Sequence, residues 1–177
     1  LIGSQDASAE ERALASRGAA ASAIVLAREH AATVARQELE LNVLDEILDG
    51  ALRSEISLIQ QARRLGHALD QPHAALVARF DSGGGTQHRL SFDSTRTAVE
   101  AVLSRMDVSV LWRMRHNNIE VVWNPNQVAQ GAEFPVRFQQ ELTRQSRSGP
   151  SGLVSVGAGA IHAGTAGIRQ SHQEAKQ

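Results

Sequence analysis

Residues 108–124, VSVLWRMRHNNIEVVWN, restrict the possible folds more than any other stretch of this chain. Two runs of alternating apolar residues flank Asn117-Asn118, and asparagine tolerates the positive φ that a two-residue hairpin turn requires. With those two residues as the loop, His116 faces Ile119, Arg115 faces Glu120, Met114 faces Val121, Arg113 faces Val122 and Trp112 faces Trp123. Trp112, Met114, Ile119, Val121 and Trp123 then share one face, extended by Val108 and Val110. Arg113, Arg115 and Glu120 share the other. A slip of one residue would put both indoles in water, so the faces are well specified. The hairpin is expected at the centre of a sheet.

Upstream, Ser8-Ala9-Glu10-Glu11 has the form of a capping box. From there to Asp49 no proline interrupts a run rich in Ala, Leu, Arg and Glu, which predicts one long helix stopped at Gly50. Gly18 is its one weak position. Ala21, Ile24, Val25, Ala32, Ala35, Leu39, Val43 and Ile47 form a stripe at helical spacing. A helix of this length exceeds what the rest of the chain can cover. Its N-terminal half is expected to meet another surface, either the same helix of a second chain or a preceding domain. The alternative is a helix lying over its own sheet. The stripe is rich in alanine and is not a strict heptad, which favours a close-packed helix pair over a regular coiled coil. Ala21, Val25, Ala32 and Leu39 are the candidate dimer positions.

A second helix is expected from Ser54 to Leu65, with Ile56, Ile59 and Leu65 inward and Arg63-Arg64 in water. Asp70-Gln71-Pro72 turns the chain into a strand, His73 to Phe80, because the position before proline is pushed to extended conformations. That strand is almost continuously apolar, as expected of one covered on both sides or central to its sheet. A loop over Asp81 to Gly85 and a short extended piece from Arg89 to Phe92 follow. Ser94 is expected to cap a helix to Met106. After the hairpin, a helix from Ala132 or Glu133 to Gln145 offers Phe134, Val136, Phe138 and Leu142 for burial, with Pro135 harmless in its first turn. Arg147 to Gly152 is a loop, Leu153 to Val156 a strand, and Gly167 to Gln177 the start of a final helix that runs past the last residue. The core order β-α-β-β-α-β is the split βαβ arrangement of ferredoxin-like and nucleotidyl-cyclase palm folds. The fold class expected is α+β: a mostly antiparallel sheet with helices on one face, preceded by a long helix. Residues 1–50 form a linker and dimerisation helix, and residues 51–177 the α+β domain.

Several function classes fall away. Without cysteine there is neither a disulfide scaffold nor a thiolate metal site. A net charge of −1 offers no large basic face to nucleic acid, and 3% aromatic content offers no base-stacking platform. No apolar run is long enough for a membrane span, and LIGSQDAS is not a signal peptide. The absence of Met at the start and the polar HQEAKQ at the end suggest two cuts through a longer protein.

The chemistry candidates are thin. Asp81 ends an apolar strand, where a palm-type cyclase or polymerase carries a metal-binding carboxylate. Such enzymes need a second acidic site at the hairpin to hold two Mg²⁺ ions and a triphosphate. Here the turn reads Arg115-His116-Asn117-Asn118, and only Glu120 nearby is acidic. Gly157-Ala158-Gly159 fails as a dinucleotide fingerprint, because its third glycine would fall at His162. Gly83-Gly84-Gly85 lacks the Lys-Ser/Thr of a phosphate loop. Both are read as turns. The seven histidines show no i,i+4 helical pair, and His162 and His172 are read as surface residues. No Ser stands in a nucleophile-elbow motif. No cofactor or metal is expected, and no enzyme is specified.

Four stretches together resemble the GGDEF-like central domain of the PucR/CdaR transcription regulators. They are LAREHAATVARQELELNVLDEILDG within Ala20 to Gly50, ARRLGHALDQPHAALVARF from Ala62 to Phe80, the hairpin, and Val156 to Gly159 followed by Gly167 to Ala175. The resemblance implies a cytoplasmic bacterial regulator in which the long helix dimerises and carries signal. The final helix would lead to a DNA-binding helix-turn-helix absent from this chain. Where a diguanylate cyclase carries its Gly-Gly-Asp/Glu-Glu-Phe turn, this chain has His116-Asn117-Asn118-Ile119. The turn is degenerate, and cyclase activity does not carry over. The expected function is therefore non-catalytic regulation and homodimerisation, with an unidentified small-molecule inducer. The alternatives are a GTP-binding or active cyclase relative, and a ligand sensor with a pocket between the sheet and the Gly157–Gly164 loop.

Overall fold

The structure, a computed structural model, describes residues 9–50, 54–81, 92–128, 131–147 and 153–177. Helix α1 spans Ala9–Asp49 and α2 spans Glu55–Arg64. Strand β1 (Pro72–Asp81) leads to α3 (Phe92–Met106), then β2 (Leu111–Arg115) and β3 (Asn118–Trp123). Helix α4 (Phe134–Arg147), β4 (Leu153–Ala158), the two-residue β5 (His162–Ala163) and α5 (Gly164–Ala175) complete the chain. The expected capping box at Ser8, the Gly83–Gly85 loop, the extended piece at residues 89–91 and the loop at residues 148–152 lie outside the described residues.

The chain divides into two compact units, residues 1–39 and 40–177, so the boundary falls inside α1, ahead of Gly50. In the first unit the helix exposes its apolar residues: Ile24, Val25 and Leu26 are each more than half exposed. In the second unit α1 ends where Gly50 takes φ +74°, a left-handed conformation that glycine adopts without steric penalty.

The second unit is built on an antiparallel sheet in the order β2-β3-β1-β4, with β5 pairing the start of β1. All pairings are antiparallel, and β3 lies between β1 and β2, which is the split βαβ arrangement. The fold is thus α+β as expected, but helices cover both faces of the sheet rather than one. On one face Phe134, Phe138 and Leu142 of α4 and Val99 and Val102 of α3 pack on Leu76, Ala78, Val121 and Trp123. On the other, Val43, Leu44 and Ile47 of α1, Leu58 and Ala62 of α2 and Ile168 of α5 pack with Ala75, Leu111 and Val122. The continuous apolar run of β1 has this cause: its alternate residues serve two separate cores.

The hairpin turn falls one residue earlier than expected. His116 and Asn117 form the loop, His116 takes φ +58°, and Arg115 pairs with Asn118. Every pairing therefore moves by two, to Met114–Ile119, Arg113–Glu120, Trp112–Val121 and Leu111–Val122. A shift of two preserves both faces, because side chains alternate with period two. It removes the anticipated Trp112–Trp123 pair. Trp123 instead packs on Phe134, ring centroids 5.1 Å apart, and its indole N–H donates to Gly131 O at 3.0 Å.

Smaller differences follow from which side of each helix is covered. Ile56 and Val136 are exposed, while Leu58, Ala62, Phe134, Phe138 and Leu142 are buried. Ser54 caps α2, its hydroxyl accepting from Ser57 N at 3.4 Å. Helix α3 starts at Phe92, ahead of the expected cap at Ser94, and α5 starts at Gly164, ahead of Gly167.

Gly157 and Gly159 are not turn residues. Gly157 lies in β4, and a Cβ there would sit 2.2 Å from Ala175 O; at Gly159 it would sit 1.9 Å from Ser171 O. These glycines let α5 lie directly on strand backbone. The Ser171 hydroxyl accepts from Ala75 N at 2.9 Å, and Gly159 N donates to Ala75 O at 2.9 Å.

Candidate functional site

The register that pairs Arg113 with Glu120 places two opposite charges on the face covered by α1, α2 and α5. Both are buried, at 4% and 2% exposure. An unpaired charge there would be strongly disfavoured, so each must find partners. Arg113 Nε donates to Glu120 Oε2 at 2.6 Å. The rest of its guanidinium turns to the last turns of α1, donating through one terminal nitrogen to Asp45 and through the other to Asp49 at 3.1 Å. Arg115, at the mouth of the same cluster, also donates to Asp49.

The second oxygen of Glu120 faces α5. His172 Nε2 stands 3.1 Å from Oε1, and Lys176 Nζ stands 3.5 Å from it. The His172 contact has ion-pair distance without hydrogen-bond alignment, and the ring is 5% exposed. His172 is therefore no surface residue, contrary to the sequence expectation. It is buried because α5 sits on bare backbone at Gly157 and Gly159, which draws its inner face close to the sheet.

Burial alone would push the Glu120 carboxyl up. The contacts of His172 and Arg113 outweigh it and hold the group down at about 2. Burial would likewise lower Arg113, yet Asp45, Glu120 and Asp49 raise it above its ordinary value. At Asp49 the upward push of burial is overcome by Arg113 and Arg115, and the carboxyl is lowered. The result is a chain of alternating charge: Asp45 and Asp49, then Arg113, then Glu120, then Lys176, with the His172 ring beside Glu120.

The turn residues singled out from sequence begin one position beyond Arg115, two pairs along the hairpin from Arg113 and Glu120. His116 and Asn117 are exposed, Asn118 is half-buried and Ile119 is in the core. Asn117 Nδ2 donates to Phe80 O at 3.3 Å, and Arg79 Nε donates to Asn118 Oδ1 at 3.0 Å, so the turn is fastened to β1. Asp81 closes β1, and its side chain lies outside what the structure describes. The candidate dimer residues Ala21, Val25, Ala32 and Leu39 are all separate from the hairpin in the sequence, and Val25 and Leu39 are 54% and 44% exposed.

Other ion pairs lie apart from this cluster. His162 Nε2 lies 3.1 Å from Glu174 Oε1, and Arg63 donates to Asp70 at 2.9 Å on the surface. Among the described residues no group of three or more His, Asp or Glu side chains could hold a metal ion. Among them, too, no helix is long and apolar enough to cross a membrane. A cation would find the carboxylates of Asp45, Asp49 and Glu120 already facing arginine, lysine or histidine. The arrangement is suited to tying elements together.

Comparison with known proteins adds a family model described as the GGDEF-like domain, which matches residues 49–177. A solved structure with a similar fold is the regulator of polyketide synthase expression from Bifidobacterium adolescentis, at TM-score 0.52 and 14% sequence identity. The match covers 79% of this chain and 51% of that one, so this chain spans about half the length of that structure. At that identity the likeness concerns the fold. No curated protein matches the chain.

Proposed function

The chain belongs to the GGDEF-like domain family, and from that premise we propose that it is a non-catalytic regulatory and dimerisation module of a PucR/CdaR-type bacterial transcription regulator. In this reading the protein is cytoplasmic and homodimerises through the first unit of α1, using Ala21, Val25, Ala32 and Leu39. DNA contact belongs to a helix-turn-helix that would follow α5, outside this chain. The inducer in this reading is an unidentified small molecule.

One observation carries the non-catalytic part. Glu120, the acidic residue of the hairpin, is buried, and its two oxygens face Arg113 on one side and His172 and Lys176 on the other. The turn itself, His116-Asn117-Asn118-Ile119, supplies no carboxylate. Two-metal phosphoryl chemistry needs both. The regulatory part draws support from the structural relative, itself a regulator of polyketide synthase expression.

Calorimetric titration with GTP and Mg²⁺ tests the reading. The expected result is no metal-dependent binding. Micromolar, Mg²⁺-dependent binding would transfer the domain to the nucleotide-cyclase side of the family.

A further inference from the structure

The geometry points to the Arg113–Glu120 pair as a bridge that makes the seating of α5 depend on the seating of residues 40–49 of α1. The inference deepens the regulatory reading above, supplying a route by which a change in the long helix reaches the last helix, and it rests on that reading for its purpose.

Arg113 and Glu120 each divide their contacts between two directions. Arg113 gives Nε to Glu120 and its two terminal nitrogens to Asp45 and Asp49 of α1. Glu120 gives Oε2 to Arg113 and Oε1 to His172 and Lys176 of α5 and its C-cap. Both side chains are nearly dry, at 4% and 3% exposure, so water screens them little. With α1 seated, its two aspartates neutralise the guanidinium, and the charge of Glu120 is available to hold α5. With α1 lifted, the guanidinium has Glu120 alone for its partner, and the pull on His172 and Lys176 weakens. The sign is fixed: seating one helix favours the other, and by linkage the effect is reciprocal.

The two helices also share an apolar cluster, in which Val43, Leu44 and Ile47 join Ile168. The test must therefore alter charge and leave that packing untouched. Asp45 and Asp49 are partly exposed, at 55% and 38%, and Asp→Asn preserves their shape. In the full chain, hydrogen–deuterium exchange is read at the amides of α5 and, as an internal reference, of β1. The D45N/D49N variant is expected to speed α5 exchange about tenfold relative to β1, within the roughly 5–150-fold typical of coupled sites. Adding the same pair of substitutions to an Arg113→Met, Glu120→Leu chain is expected to produce no further change. The reverse arm keeps the test decisive if that background folds poorly: H172Q is expected to speed exchange across residues 40–49 about fivefold relative to β1.

Unchanged α5 exchange in D45N/D49N would overturn the bridge. So would an equal acceleration after Arg113 and Glu120 are removed, or unchanged exchange in residues 40–49 of H172Q. A null result here leaves the regulatory reading standing, since its non-catalytic part is tested separately by Mg²⁺-dependent GTP binding. Such binding would in turn leave the measured coupling intact.

Discussion

Arg113 and Glu120 stand directly opposite each other on neighbouring strands, Nε 2.6 Å from Oε2, and both are almost wholly withdrawn from water. Removing one member leaves the other buried and short of a charged partner, whereas removing both does not. Glu120→Leu is therefore expected to destabilise the chain by about 3–5 kcal/mol. Adding Arg113→Met should recover about 2 kcal/mol of that loss. Urea unfolding of the two single variants and the double variant measures the difference.

The same pair sets the response to acid. The Glu120 carboxyl is held at about 2 in the folded chain, against 4.5 as its ordinary value. A depressed carboxyl stabilises the fold fully above the unfolded value, and that contribution is lost as pH falls from 4.5 through about 2. The loss across this window is on the order of 3 kcal/mol. An E120Q chain, less stable at neutral pH, should show a correspondingly flatter acid-unfolding curve. Equal slopes for the two chains would remove Glu120 as the source.

Two glycine-to-alanine changes should act in opposite directions. Gly159→Ala drives a methyl group into Ser171 O, and backbone cannot yield as a flexible side chain would. A loss of about 1–3 kcal/mol is expected, seen as a lower thermal midpoint. Gly18→Ala, with nothing within 4 Å of the new methyl, should add helical signal in circular dichroism and about 1 kcal/mol of local helix stability.

In the proposed dimer, Val25→Glu together with Ala32→Glu should weaken the association seen in light scattering. Both positions are exposed, so the unfolding free energy of the second unit should move by less than about 0.5 kcal/mol. An unchanged mass would place the interface elsewhere.

Much of the architecture is legible in the chain. The alternation around residues 108–124 identifies both faces of the hairpin, and the double-sided apolar run of β1 is visible in HAALVARF. The exact register is not, because a slip of two leaves the apolar pattern unchanged and only the turn distinguishes the two. Asparagine at positions 117 and 118 points to one turn, while His116 in fact takes the positive φ. The charge cluster escapes for a related reason. His172 and Asp45 lie far along the chain from Arg113, and no local pattern joins them. One signal is nevertheless present. A central strand apolar on both sides implies that both faces are covered, so Arg113 and Glu120 could not be solvated and had to find partners. Taking one face as open to solvent conceals that inference.

Ser171 and Ala175, one helical turn apart, bring their carbonyls against the bare main chain at Gly159 and Gly157. At these two points no side chain separates the helix from the main chain beneath it. Any twist about its axis would swing side chains into a gap too narrow to admit even a methyl group. The seat thus resists rotation of α5 in place.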